Sequence, residues 1–101
     1  MESGCLEVLP GSHLRGLSTP EGGTVPPAAL EAADAETHAV ALPAQSGEAI
    51  LVNNHTWHRT GRNRTTRPRR AVSISFLGMD VRCTRRRRAP RQFRELFTAS
   101  D

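Results

Sequence analysis

The chain contains no lysine and no tyrosine, and it has only four aromatic side chains in 101 residues, one tryptophan and three phenylalanines. With an apolar content of 37%, this composition indicates one small domain with a thin core, because short chains bury a modest fraction of their surface. The two cysteines, Cys5 and Cys83, form no CxxC pair. We therefore expect reduced thiols rather than a disulfide or a zinc site.

Long apolar runs are also missing from the sequence. No window approaches the roughly 18 apolar residues of a membrane-spanning helix, so we expect no contact with a membrane. The first residues, MESGCLEV, lack the basic region and apolar stretch of a secretory signal. We expect a cytoplasmic protein.

Positive charge is scarce in the first half of the chain and abundant in the second. Residues 1–54 have one arginine and seven acidic residues, whereas residues 55–101 have thirteen arginines and three acidic residues. The run Arg85–Arg88, beside Arg82, Arg91 and Arg94, is a candidate for contact with an anion or with nucleic acid. No interleaved aromatics, helix-turn-helix or zinc pattern accompanies it. The alternative is a solvated tail.

The hydrophobic pattern predicts a mainly β protein with about five short strands and open sheet edges. The clearest strand is at 70–77, where Val72, Ile74 and Phe76 alternate with serines. A marginal surface helix or an ordered loop is predicted at 27–36, and a short helix at 90–97. Pro10-Gly11-Ser12 is a turn sequence. The predicted strands are residues 4–9, 38–42, 48–52, 57–60 and 70–77.

One histidine and one arginine carry the strongest chemical signal. His58 precedes Arg69, at the start of the alternating strand, by eleven residues. Non-haem iron(II) oxygenases bind their metal with two histidines and a carboxylate, and a guanidinium fork suits the distal carboxylate of 2-oxoglutarate. Arg70 competes with Arg69. The spacing and the preceding Pro68 favour Arg69, and strand alternation turns Arg70 to the opposite face.

Three linked segments carry a resemblance to a known family: GCLEVLPGSHLRG, SGEAILVNNHTWHRTGRN and RPRRAVSISFL. In this order they resemble the C-terminal portion of phytanoyl-CoA dioxygenase-like proteins, over roughly residues 3–79. The resemblance implies a partial double-stranded β-helix (a cupin-like jelly roll) in residues 1–79. The composition of residues 80–101 predicts an arginine-rich tail with a short helix.

The resemblance also implies a chemistry, which is the hydroxylation of a small organic substrate with Fe(II) and the co-substrate 2-oxoglutarate. It makes His58 a metal ligand and Arg69 the residue that binds 2-oxoglutarate. Thr60, two residues after His58, is a candidate for a further hydrogen bond to the co-substrate carboxylate, and the alternative is simple strand packing. It implies that His13, in the Pro-Gly-Ser-His turn, is structural. From their neighbours, we expect Trp57 to pack in the core and Asn63 to shape the loop after the ligand.

The remaining iron ligands of such a site are missing from the sequence. The family's early ligands come as His-x-Asp or His-x-Glu, but none of the four histidines has an acidic residue two positions later. We therefore expect a C-terminal fragment that is inactive alone. A second hypothesis is a half-domain that completes its site with another chain, and open sheet edges favour self-association. A third is a basic binding protein that contacts nucleic acid through its arginine-rich tail.

Overall fold

The computed structural model of the chain describes residues 2–20, 22–78, 80–84 and 86–93. It divides into two units, Met1–Arg70 and Ala71–Asp101, which we call the first and second units. The helices and strands of the described residues all lie in the first unit. They are, in order, β1 (Leu6–Val8), a 3-10 helix (Ser12–Arg15), α1 (Pro27–Ala32), α2 (Ala35–His38), β2 (Val40–Leu42) and β3 (His58–Thr60).

The three strands form one antiparallel sheet in the order β2-β1-β3. In the β1–β3 pair, Leu6 lies opposite Thr60 and Val8 lies opposite His58. Opposed residues share a face of a sheet, and successive residues alternate between faces. One face, which we call the His58 face, therefore has Leu6, Val8, His58 and Thr60 together with Val40 and Leu42 of β2, while the opposite face has Glu7, Ala41 and Arg59.

The small core lies where the chain turns after β1. Leu9 and Trp57 are the buried apolar residues among those described, each 8% exposed. The backbone N–H of Leu9 donates to the carbonyl of Trp57 at 2.9 Å. Gly11 makes the turn possible with φ of 77°, a value that L-residues with a side chain rarely adopt. The prediction that Trp57 packs in the core is confirmed.

The sheet agrees with a mainly β class, and the structure forms three of the predicted strands as β1, β2 and β3. The stretch at 27–36 has helix-forming residues and no apolar stripe, and it gives two short helices, α1 and α2. His38 belongs to the end of α2 rather than to the strand that we predicted from residue 38. None of the helices in the described part of the chain has the length or apolar character to cross a membrane.

Two of the five predicted strands are wrong, because neither 48–52 nor 70–77 is extended into a sheet. Several of their apolar side chains face solvent, with Leu51 96%, Val72 88% and Ile74 67% exposed. Alternation shows that a segment is able to line a core, but a strand also needs a hydrogen-bonded neighbour and an apolar face to cover. Of the helix predicted at 90–97, residues 90–93 are not helical, and the rest lies outside the described residues.

Candidate functional site

His58 and Thr60 lie on the same face of β3, two residues apart, and both are exposed. The Nδ1 atom of His58 is 2.9 Å from the carbonyl oxygen of Thr56. A carbonyl oxygen only accepts hydrogen bonds, so Nδ1 must carry the proton. In the neutral imidazole this leaves the lone pair on Nε2, the nitrogen that faces away from the backbone.

The backbone around His58 is held in place by its two neighbouring segments. The turn at 53–56 is closed by the N–H of Thr56, which donates to the carbonyl of Asn53 at 2.9 Å. The next residue, Trp57, is fixed at both backbone groups: its N–H donates to Ser12 Oγ at 2.8 Å, and its carbonyl accepts from Leu9. The backbone of His58 is therefore held in position by the buried residue that precedes it.

The opposite face of β3 has an ion-pair network centred on Arg59. Its Nε donates to Glu7 at 2.6 Å, and its two terminal nitrogens donate to the carboxylate of Glu36 at 2.7 and 3.0 Å. The hydrogen bond and charge of Arg59 lower the pKa of Glu36, and the carboxylates in turn raise the pKa of Arg59. The network joins β3, β1 and α2.

Sequence reasoning missed the role of Arg59, which stood only as the residue between two candidate site residues. The available signal was charge. The sequence places one arginine next to His58 and an excess of acidic residues in the first half of the chain. In the structure two of those acids, Glu7 and Glu36, converge on Arg59.

An open cleft of about 610 Å³ lies in the first unit beside the start of β3. Leu9, Leu17, Val25, Leu30 and Trp57 give it apolar walls, and His58 is part of its lining. The volume lies within the range of small-molecule pockets, which are mostly apolar with a few polar groups. Neither Thr60 nor Arg69 belongs to the lining.

Arg69 lies in an irregular segment after β3, and its side chain is exposed. The loop leading to it is shaped by Asn63, as expected: its Nδ2 donates to the carbonyl of Arg67 at 2.8 Å, and its Oδ1 accepts from the N–H of Thr65 at 2.9 Å. Thus the structure brings His58 and Thr60 to one face of the sheet but does not group Arg69 with His58 in the cleft.

The described histidine, cysteine and acidic side chains of the first unit do not make up an iron site. Among the described residues, no group of three or more His, Cys, Asp or Glu side chains is arranged to hold a metal ion. A facial triad requires two histidines and a carboxylate that converge on one point. The residues that the structure describes therefore do not fit iron by themselves.

Comparison with known proteins gives the family. Residues 1–71 match the phytanoyl-CoA dioxygenase (PhyH) family. A curated relative, "Dioxygenase andF" of Emericella variicolor, is 36% identical over 76 residues, which are 75% of this chain and 22% of the relative. The chain thus spans about a fifth of the length of that relative. No solved structure matches the chain. The family match extends over more than two thirds of the sequence, and the chain belongs to the phytanoyl-CoA dioxygenase family.

Proposed function

We propose that this chain contributes part of the active site of an Fe(II)- and 2-oxoglutarate-dependent dioxygenase that hydroxylates a small organic substrate. His58 is one metal ligand, Arg69 binds the distal carboxylate of 2-oxoglutarate, and Thr60 adds a hydrogen bond to that carboxylate. The observation that carries the proposal is the family match, because it extends over residues 1–71 and so includes all three residues.

The hydrogen bond of His58 supports its role as a ligand. A metal-binding histidine generally donates its second ring N–H to an oxygen atom, which fixes the tautomer and the orientation of the ring. The carbonyl of Thr56 is such an oxygen for Nδ1 of His58. The exposed ring then offers Nε2 to a metal from outside the sheet.

The states of Thr60 and Arg69 are compatible with binding a carboxylate. Thr60 shares the His58 face, at the separation of about 7 Å that two residues give along a strand. Arg69 forms no ion pair or hydrogen bond with any other residue that the structure describes, so its guanidinium donors are available. The planar fork of arginine matches a carboxylate with two parallel hydrogen bonds.

The sheet itself is compatible with part of a jelly roll. Jelly rolls bury one face of each sheet against a second sheet. The His58 face has apolar residues, Leu6 and Val8, that are only half-buried, and Val40 is 46% exposed. In the complete domain a second sheet covers this face, and the segments 48–52 and 70–77 gain the strand partners that they need.

The other metal ligands come from protein beyond these 101 residues. No histidine in the sequence is followed two positions later by an acidic residue. The described residues provide no converging set of three ligands. We therefore propose that the chain has no dioxygenase activity on its own and supplies one ligand and the co-substrate arginine to a site completed elsewhere.

The test is a chimera in which residues of this chain replace the matching stretch of the Emericella relative. The readouts are bound iron and the conversion of 2-oxoglutarate to succinate. His58→Ala should lower iron affinity at least about tenfold and abolish turnover. Arg69→Ala should raise the KM for 2-oxoglutarate at least about 30-fold, because one partner of a charged pair is lost.

Two neighbouring residues provide matched controls. Arg70→Ala removes the same side chain one position later, and His55→Ala removes another imidazole of the cleft lining. Both variants should keep iron content and KM within about threefold of the unmodified chimera, because neither residue has a proposed role in binding iron or 2-oxoglutarate. Full iron binding and turnover in the His58→Ala chimera would show that His58 is no ligand. Equal increases in the KM for 2-oxoglutarate in the Arg69→Ala and Arg70→Ala chimeras would show that Arg69 has no special role.

A further inference from the structure

The second unit contains a segment that the dioxygenase site does not use. Residues 82–94, which we call the arginine-rich segment, include seven arginines and no acidic residue. That is half of the fourteen arginines in the chain, placed within thirteen residues. Adjacent like charges repel each other, so such a segment is stabilised by an anionic partner.

Four arginines of this segment have no partner within the described part of the chain. Arg86, Arg87, Arg88 and Arg91 are exposed, and none of them forms an ion pair or hydrogen bond with another described residue. Arg59 in the first unit shows the contrast, since two carboxylates occupy its donors. Each unoccupied guanidinium has five N–H donors in a planar fork that matches a phosphate group.

The surroundings of these arginines favour a nucleic acid over a lipid surface. Membrane-surface segments bury the apolar face of an amphipathic helix. In the described residues of this segment there is no helix, and between Val81 and Phe93 the sequence has no large apolar side chain. The ring of Phe93, 49% exposed, and the guanidinium planes are surfaces on which unpaired bases stack.

We propose that the arginine-rich segment binds single-stranded nucleic acid, with the guanidinium groups of Arg86, Arg87, Arg88 and Arg91 on the phosphates and Phe93 stacked on a base. Affinity comes from phosphate neutralisation and counterion release, so binding is independent of base sequence and falls steeply with salt. Binding at this segment requires neither iron nor 2-oxoglutarate, and His58 has no part in it.

The test is fluorescence anisotropy of labelled 20-nucleotide RNA and DNA strands titrated with the full 101-residue chain between 50 and 200 mM salt. The slope of log affinity against log salt is about −0.7 for each phosphate neutralised on a single strand. The triple variant Arg86→Ala/Arg87→Ala/Arg88→Ala should therefore make the slope shallower by about 2 and weaken binding at least about tenfold at 50 mM salt. Phe93→Ala should weaken it about fivefold or more through lost stacking.

A matched triple variant separates this segment from general positive charge. Arg62→Ala/Arg64→Ala/Arg67→Ala removes three exposed arginines of the first unit and should leave affinity and slope nearly unchanged. Three results would each overturn the proposal: no binding at 50 mM salt, equal losses in the two triple variants, or tighter binding to phosphatidylserine vesicles than to either strand at the same salt.

Discussion

Ser12 is the polar residue on which the centre of the first unit depends. Its side chain is only 2% exposed, and its hydroxyl makes two hydrogen bonds. Oγ donates to the carbonyl of Leu9 at 2.6 Å and accepts from the N–H of Trp57 at 2.8 Å. These bonds join the turn after β1 to the residue before His58. The Pro-Gly-Ser-His sequence therefore has a structural role through its serine.

Replacing Ser12 with alanine should destabilise the first unit. The change leaves the buried N–H of Trp57 without an acceptor, and an unsatisfied buried donor costs about 1–3 kcal/mol. The measurement is the free energy of unfolding from urea denaturation, followed by the fluorescence of the one tryptophan in the chain. Ser46→Ala, at an exposed turn position, is the control and should stay within about 0.5 kcal/mol of the unmodified chain. Equal stability of the two variants would contradict this account of Ser12.

At the scale of elements, the Arg59 network connects strands and a helix that have little buried contact. Glu7 of β1 and Glu36 of α2 both bind Arg59 of β3. Glu36 is exposed, so solvent screens the ion pair and its contribution to stability is small. Its effect should nevertheless depend on pH, because Arg59 lowers the pKa of Glu36 below its ordinary value of 4.5.

The sign of this dependence follows from the lowered pKa. A carboxyl group with a lower pKa in the folded state stabilises that state above its ordinary pKa, and the stabilisation is lost as pH falls through the folded value. Glu36→Gln should therefore be less stable than the unmodified chain at pH 7, and the two should converge well below pH 4.5. Urea denaturation at pH 7 and at a pH well below 4.5 measures this difference in stability. Glu31→Gln is the control, because Glu31 forms no ion pair with another described residue. A constant difference at all pH values would rule out the ion pair as its cause.

The hydrophobic pattern of the sequence predicted those strands that have a hydrogen-bonded neighbouring strand in the structure. A sheet forms because β1, which precedes the Pro-Gly turn, pairs along one edge with β2 and along the other with β3. The alternation at Val72, Ile74 and Phe76 is more regular than in any of these strands, yet no strand forms there. Alternation is a property of one segment, whereas a strand forms only when a second segment pairs with it through hydrogen bonds.

The relative positions of the candidate site residues were likewise predictable within one strand but not between two segments. His58 and Thr60 lie on one face of the sheet, as two residues of one strand must. The relation between His58 and Arg69 depended on a second strand at 70–77, which is not formed. The charge of Arg59 was visible in the sequence, but its partners were not, since they lie 52 and 23 positions away along the chain.

The exposure of the 70–77 segment gives a direct prediction. Val72→Ser/Ile74→Ser should change the free energy of unfolding by no more than about 0.5 kcal/mol, because both side chains already face solvent. It should also reduce the binding of a hydrophobic dye such as ANS. Leu9→Ala, in the core, is the contrasting variant and should cost about 2–5 kcal/mol. A large loss of stability in the double variant would show that these side chains are buried in solution.

At the scale of the whole molecule, the described residues provide fewer metal ligands than the family resemblance implies. The chain belongs to the phytanoyl-CoA dioxygenase family, and the Nδ1 atom of its exposed His58 lies 2.9 Å from the carbonyl oxygen of Thr56. Its described residues hold no second histidine and carboxylate that converge on a metal with His58. The chain covers 22% of the length of a curated relative, and we propose that the other ligands lie outside these residues.

The most direct test is an anaerobic titration of the purified 101-residue chain with Fe(II) and 2-oxoglutarate, following the visible charge-transfer band of the bound pair. Circular dichroism first establishes that the protein is folded, and His58→Ala is the control. We predict no saturable band in either protein, because one imidazole does not make an iron site. A saturable band in the unmodified chain that is lost in His58→Ala would contradict the account, since a complete site would then exist within these residues or between two copies of them.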